Sequence, residues 1–265
     1  MTDDSSAQVV RLSIDDAVAE VVLDRPKQLN AMDRELVREL GAVLDTVAGD
    51  TGVRALIIRG EGRAFSAGRD ISGAQPGEED GGQVLAELFN PLVLQVAELQ
   101  VPTFAAVHGA CLGTGLGVAL ACDVVYVADD AKIGSPFARI GAVLDSGAHA
   151  AFVTRIGAPR TLELIYSGRL ISGREAAEWG LVSRSFDPTD LLDEVRALAT
   201  RVAAGPTLAF LESKRLVRRL LDERLGLHEV LAAEAEAQSR ASRTGDYLEG
   251  FTAFLERREP TFTGR

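Results

Sequence analysis

The chain has 265 residues, of which 46% are hydrophobic and 25% charged, an ordinary globular composition with enough length to bury a large core. Its net charge of −11 argues against nucleic acid or an anionic membrane as the main partner, while leaving room for a local basic patch that meets an anionic ligand. Residues 1–6 carry no basic, apolar leader, no apolar run is long enough to span a membrane, and both cysteines, Cys111 and Cys122, sit among small or apolar residues, so a cytoplasmic protein is expected.

Residues 9–13 and 17–23 read as two strands around an Asp15-Asp16 turn, and residues 24–30 as a loop punctuated by Pro26. Residues 33–47 form an amphipathic helix with Leu36, Val37, Leu40, Val43, Leu44 and Val47 on one face. Residues 53–59 read as a strand buried on both faces. The Gly- and Glu-rich stretch 73–82 reads as a mobile loop. A helix over 83–99 follows, which Asn90-Pro91 must break or kink because proline lacks a donor and crowds the preceding turn. Strands at 101–107 and 124–128 complete an alternation of strand and helix that defines an α/β fold. A helical run covers 148–156. Segments 161–167, 173–179, 190–204, 206–223 and 229–240 then read as helices, a layer or subunit contact rather than a second catalytic domain.

The sequence Gly113-Thr114-Gly115-Leu116-Gly117 opens an uncharged helical run after the strand at 101–107. Unpaired N–H groups at such a helix start favour a developing negative charge. A second stretch of small residues, Ala64-Phe65-Ser66-Ala67-Gly68-Arg69-Asp70-Ile71, offers another backbone donor, so two loops can polarise one carbonyl. A dinucleotide fingerprint fails, because the sixth position is Val118 and the lead from the strand is too long. The three alternating glycines exceed what helix packing usually requires, which favours a functional reading over a packing one. Asp145 is the one carboxylate between residues 131 and 162. Set among apolar and small residues, it reads either as a helix N-cap with a lowered pKa or as a desolvated base with a raised one. The three histidines show no nucleophile arrangement, although His149 lies one helical turn beyond Asp145.

The segments Arg25-Pro26-Lys27-Gln28-Leu29-Asn30-Ala31, Ala64–Ile71 and His108-Gly109-Ala110-Cys111-Leu112-Gly113-Thr114-Gly115 together resemble the crotonase (enoyl-CoA hydratase/isomerase) superfamily, over nearly the whole chain. The resemblance implies a spiral of ββα units (residues 9–190, after a flexible tail at 1–8) and a C-terminal helical oligomerisation region (191–265). It implies a homotrimer or a hexamer built as a dimer of trimers. It further implies an acyl-CoA thioester substrate whose carbonyl accepts from the backbone N–H groups of Arg69 and Thr114. No metal or redox cofactor is implied, coenzyme A being part of the substrate. Lys27, Leu29, Ala67, Asp70, Ile71 and Gly113 would hold the CoA and thioester, Phe137 and Leu144 would shape the acyl pocket, and Lys214 and Phe251 would reach a neighbouring subunit's CoA.

Two departures bear on the reaction. Gly117 and Phe137 stand where the resemblance places the two glutamates of an enoyl-CoA hydratase. Asp145 falls where some isomerases of the superfamily carry a catalytic aspartate, which moves its reading from cap to acid/base. The segments Phe89-Asn90-Pro91, Glu178-Trp179-Gly180 and Pro260–Arg265 are most similar to the ring-epoxide phenylacetyl-CoA isomerase branch, although Ser146-Gly147-Ala148-His149 replaces that branch's paired glycines and threonine. The expected activity is an acyl-CoA isomerase. The alternatives are a hydratase and a non-catalytic acyl-CoA binding protein.

Overall fold

The computed structural model describes residues 8–72 and 79–265. Residues 1–7 of the expected tail and 73–78 of the expected mobile loop lie outside them.

The chain opens with the antiparallel pair β1 (Val10–Asp15) and β2 (Val18–Leu23). Helix α1 (Arg34–Gly49) begins where Asp33 accepts from the Leu36 N–H at 2.9 Å, satisfying one of the free donors of the first turn. Its buried face, Leu36, Val37, Leu40, Leu44 and Val47, is the expected stripe apart from the half-buried Val43. Burying each such side chain contributes about 1.5–3 kcal/mol.

From here the chain repeats one unit. A long strand is followed by a three-residue strand and then a helix. Strands β3 (Ala55–Gly60) and β4 (Ala64–Ser66) lead to α2 (Gly81–Val84), and β5 (Thr103–Val107) and β6 (Ala110–Leu112) to α4 (Gly113–Ala121). Strands β7 (Val124–Ala128) and β8 (Lys132–Gly134) lead to α5 (Ala148–Ser167). The long strands of these units join one sheet, ordered β1-β2-β3-β5-β7-β10 and closed by the three-residue β10 (Arg184–Phe186), and their short strands a second, ordered β4-β6-β8-β9, with β9 at Ile171–Ser172. The parallel pairings β3–β5–β7 and β4–β6–β8 make successive units stack in the same sense, which is a spiral of ββα units. Helix α4 has both sheets as neighbours, which explains its apolar, uncharged sequence.

At Asn90-Pro91 the helical run is neither broken nor interrupted, but its hydrogen bonding shifts just before it. Between α2 and α3 (Asn90–Glu98) the backbone forms a π-turn over Leu85–Phe89, so the missing Pro91 donor falls in the first turn of α3, where none is needed. Helix α5 joins two runs read separately in the sequence, across a non-helical Gly157 at φ 78° just before Pro159. Helices α6 (Gly173–Glu178), α7 (Leu191–Ala203), α8 (Thr207–Glu223) and α9 (Leu227–Ala241) match expectation. A further helix, α10 (Gly245–Glu256), does not appear in the sequence reading. It leaves Leu248, Phe251, Phe254 and Leu255 largely exposed on an apolar face. Among the described residues, no helix is long and apolar enough to cross a membrane.

Candidate active site

Two loops leave the same end of the parallel pair β4–β6 and meet. A side-chain carbon on Gly68 would fall 2.7 Å from the Leu112 carbonyl oxygen, and one on Gly113 would fall 3.9 Å from Gly68 Cα. The approach excludes a side chain at Gly68, and both residues have positive φ, +89° and +50°, which favours glycine. The following residues, Arg69 and Thr114, are therefore carried on touching backbones. The bridge between Met32 and Arg69 uses the Met32 and Asp70 N–H groups, so the Arg69 N–H has no acceptor among the described residues. Thr114 lies in the first turn of α4, where an N–H has no partner within the helix.

The Arg69 loop is pinned by a buried polar chain. Asn30, fully buried, donates through Nδ2 to the Ala64 carbonyl (2.7 Å) and the Glu61 carbonyl (2.9 Å). Ser66 Oγ donates to the Asn30 carbonyl at 2.8 Å and accepts from the Gly68 N–H at 3.2 Å. Each bond costs little to make and much to lose in the interior. Asn30 and Ser66 were not read as site residues. An asparagine set among Leu29, Ala31 and Met32 is the signal that would have singled out the first.

The glycines of α4 have a plainer use than expected. A side-chain carbon on Gly115 would meet Ser66 Cβ and Oγ at 2.6 Å, and one on Gly117 would meet the Ser146 carbonyl oxygen at 2.4 Å and Cβ at 2.5 Å. Close packing therefore requires both, against β4 and against the loop that carries Asp145. The functional reading of the alternating glycines is corrected to that extent, leaving Gly113 at the loop contact.

Asp145 is not an N-cap. Gly147, at φ +79°, takes that position with no side-chain cap; Ser146 and Gly147 are both left-handed, and no N–H of the helix start donates to the Asp145 carboxylate. Half-buried, Asp145 accepts from Ser146 Oγ through Oδ1 at 2.8 Å. Burial raises its pKa, against the Ser146 hydrogen bond and the positive fields of Arg69 and His149. Arg69 thus belongs to both halves of the site. Its guanidinium also pairs with Glu79.

Around this centre, the Leu29 carbonyl accepts from the Ala67 N–H at 2.9 Å, placing those two residues together. Lys27 and Ile71 are exposed. Asp70 pairs with the half-buried Arg25, and its pKa is lowered by the Ser72 hydroxyl and N–H and then by Arg25. The Phe137 ring lies over the loop contact, its Cζ 3.2 Å from a carbon built on Gly113, and Leu144 is buried. A cavity of about 330 Å³ opens beside Arg69, walled by Arg25, Met32, Asp33, Asp70 and Phe89. Thr114, Phe137 and Asp145 do not line it.

Lys214 and Phe251 are elsewhere. The Lys214 ammonium, on a side chain only 10% exposed, sits 2.8 Å from Asp123 Oδ2 and donates to the Val101 carbonyl at 2.9 Å, tying α8 to the core. Phe251 stacks at 4.6 Å on Tyr247 in the apolar groove of α10. Neither hydrogen-bonds to Arg69, Thr114 or Asp145. Among the described residues, no group of three or more His, Cys, Asp or Glu side chains is placed to hold a metal ion.

Stacked ββα units with two glycine-pinned loops at their joint define the crotonase class of fold. The chain belongs to the enoyl-CoA hydratase/isomerase family, whose profile matches residues 13–265. It is 35% identical, over 96% of its length and 99% of the relative's, to YhaR of Bacillus subtilis, provisionally named an enoyl-CoA hydratase/isomerase. It is 32% identical, over 95% of its length and 97% of the relative's, to the 1,2-epoxyphenylacetyl-CoA isomerase of Escherichia coli K12. The crystal structure of an enoyl-CoA hydratase from Bacillus anthracis superposes with a TM-score of 0.90 at 28% identity, over 97% of this chain and all of that one.

Proposed function

We propose that the protein is a cytoplasmic acyl-CoA isomerase that stabilises a thioester enolate. In this reading the thioester carbonyl oxygen accepts from the Arg69 and Thr114 N–H groups. Each such donor, fixed before the charge develops, lowers the barrier by about 2.7–4 kcal/mol. Asp145 removes a proton from C2 of a 3-enoyl thioester, and the electron pair passes into the dienolate held by the two amides. The carboxyl then returns the proton at C4, giving the conjugated 2-enoyl thioester with no atom gained or lost. The raised pKa of Asp145 suits a group that must both take and return a proton near neutrality. Lys27, Leu29, Ala67 and Ile71 would hold the CoA, and Phe137 and Leu144 the acyl group. The exposed apolar face of α10, with Phe251, would meet neighbouring subunits of a trimer or hexamer.

The observation that carries isomerisation over hydration is the contact between Gly117 and Ser146. The resemblance assigns position 117 to one of two water-placing glutamates, and here the Ser146 backbone fills the space such a side chain needs. Phe137 replaces the other carboxylate with an apolar ring. The name of the Escherichia coli relative makes a ring-epoxide phenylacetyl-CoA thioester one substrate to test. Hydration with Asp145 alone activating water is the second reading, favoured by the name of the Bacillus anthracis neighbour. A screen of 3-enoyl, 2-enoyl and ring-epoxide thioesters separates them by mass and ultraviolet absorbance. Isomerisation leaves the mass unchanged, hydration adds one water, and tight binding without turnover would mark a non-catalytic acyl-CoA protein.

A further inference from the structure

Ser146 combines three properties that its neighbours do not share. It is a non-glycine residue at φ +55°, a conformation that costs an ordinary side chain free energy and persists where the surroundings impose it. It is only 3% exposed. Its hydroxyl spends its one proton on the carboxylate beside it, Oγ to Asp145 Oδ1 at 2.8 Å. Glycine would adopt the same backbone without strain, so the conformation alone gives no reason for a serine. The hydroxyl does.

We propose that Ser146 is a positioning residue that clamps Asp145 Oδ1 and so leaves Oδ2 as the oxygen that exchanges protons with the acyl group. The clamp is held from behind. The Ser146 carbonyl and Cβ pack against the α4 backbone at Gly117, where even a methyl group has no room, so Ser146 cannot shift toward α4. The basic side chains that act on Asp145 are Arg69, from the loop after β4, and His149, the second residue of α5. Arg69 is itself held by Glu79, and His149 is exposed. Ser146 is thus the one neutral donor on the carboxylate among the described residues, and its contribution is separable from those two fields. A donor to the ionised form favours that form, so Ser146 offsets part of the rise that burial causes.

The inference rests on the reading of Asp145 as the proton-transfer group, and the test keeps the two apart. The carboxyl carbons are labelled with [4-13C]aspartate, the Asp145 resonance is assigned by its loss in D145N, and its midpoint is titrated in the wild type, S146A and S146G. Both variants should stay folded, with S146G relieved of the left-handed strain, and both midpoints should rise by about one pH unit. The acidic limb of turnover on 3-hexenoyl-CoA should rise with them. A merely structural serine predicts a changed melting temperature with an unmoved midpoint, and that result overturns the proposal. If the midpoint moves while the acidic limb stays, the clamp does not serve proton transfer and the proposal also falls. Full turnover by D145N removes the Asp145 reading itself, whatever the resonance does.

Discussion

Gly117 and Ser146 touch so closely that a single added carbon on the glycine would lie 2.4 Å from the serine carbonyl oxygen. This contact joins the central helix α4 to the loop that presents Asp145. It also closes position 117 to any side chain.

Gly117→Ala should therefore strain the helix–loop contact and destabilise the protein by about 1–3 kcal/mol, the usual cost of overpacking a filled interior. Denaturant unfolding measures it. A variant with an unchanged midpoint would show that the contact relaxes freely.

Asp145→Asn should lower turnover by about 10²–10⁴-fold, the usual contribution of a positioned acid/base. It should also change how stability depends on pH. The native carboxyl has a pKa above its unfolded value, so the fold binds the proton more tightly than the open chain does. Its stabilising effect is complete below the unfolded pKa and is lost as pH rises through the raised native one. Above that window the buried charge destabilises the wild type. The neutral amide escapes this, so D145N should unfold at a higher temperature than the wild type at pH 7, and the difference should shrink toward pH 4. Equal melting temperatures at pH 7 would contradict the burial of a charged carboxylate.

Much of this architecture is legible in the residues themselves. The alternation of apolar runs with the stripe Leu36, Val37, Leu40, Leu44 and Val47 shows the first strands and α1 without ambiguity. The second sheet is invisible, because β4, β6, β8 and β9 are two or three residues long and too short to display a period of two. Helix α10 is hidden by Gly245 and Gly250, which are poor helix formers. In the site, Asp145 is conspicuous as a lone carboxylate, yet its cap reading fails. A sequence does not reveal that Ser146 takes a left-handed backbone and that Gly147, not Asp145, stands at the N-cap of α5. Nor does it reveal that Gly115 and Gly117 owe their identity to Ser66 and Ser146, partners 49 and 29 residues distant in the chain.

Thr114→Pro deletes one backbone donor in the first turn of α4, where no bond within the helix is lost. Turnover should fall by about 10²–10³-fold with the circular dichroism spectrum retained. A folded variant at full rate would rule out the Thr114 amide as a donor to the thioester.

Lys214→Met separates two uses of one ammonium group. Its ion pair with Asp123 and its bond to the Val101 carbonyl predict a loss of stability of about 1 kcal/mol, since Asp123 is exposed and keeps its hydrogen bonds from the Thr103 N–H and hydroxyl. A role at a neighbouring subunit's CoA predicts instead a raised KM with unchanged stability. Denaturation and steady-state kinetics on the same preparation decide between them.

The account stands on two main-chain amides meeting at one thioester oxygen. Infrared difference spectroscopy of [1-13C]butyryl-CoA bound to the protein reads that contact without any turnover. The carbonyl stretch should move to lower frequency on binding, and Thr114→Pro should return it toward its value in water. A bound thioester whose carbonyl stretch is the same as in solution would contradict the convergence of the two amides on its oxygen.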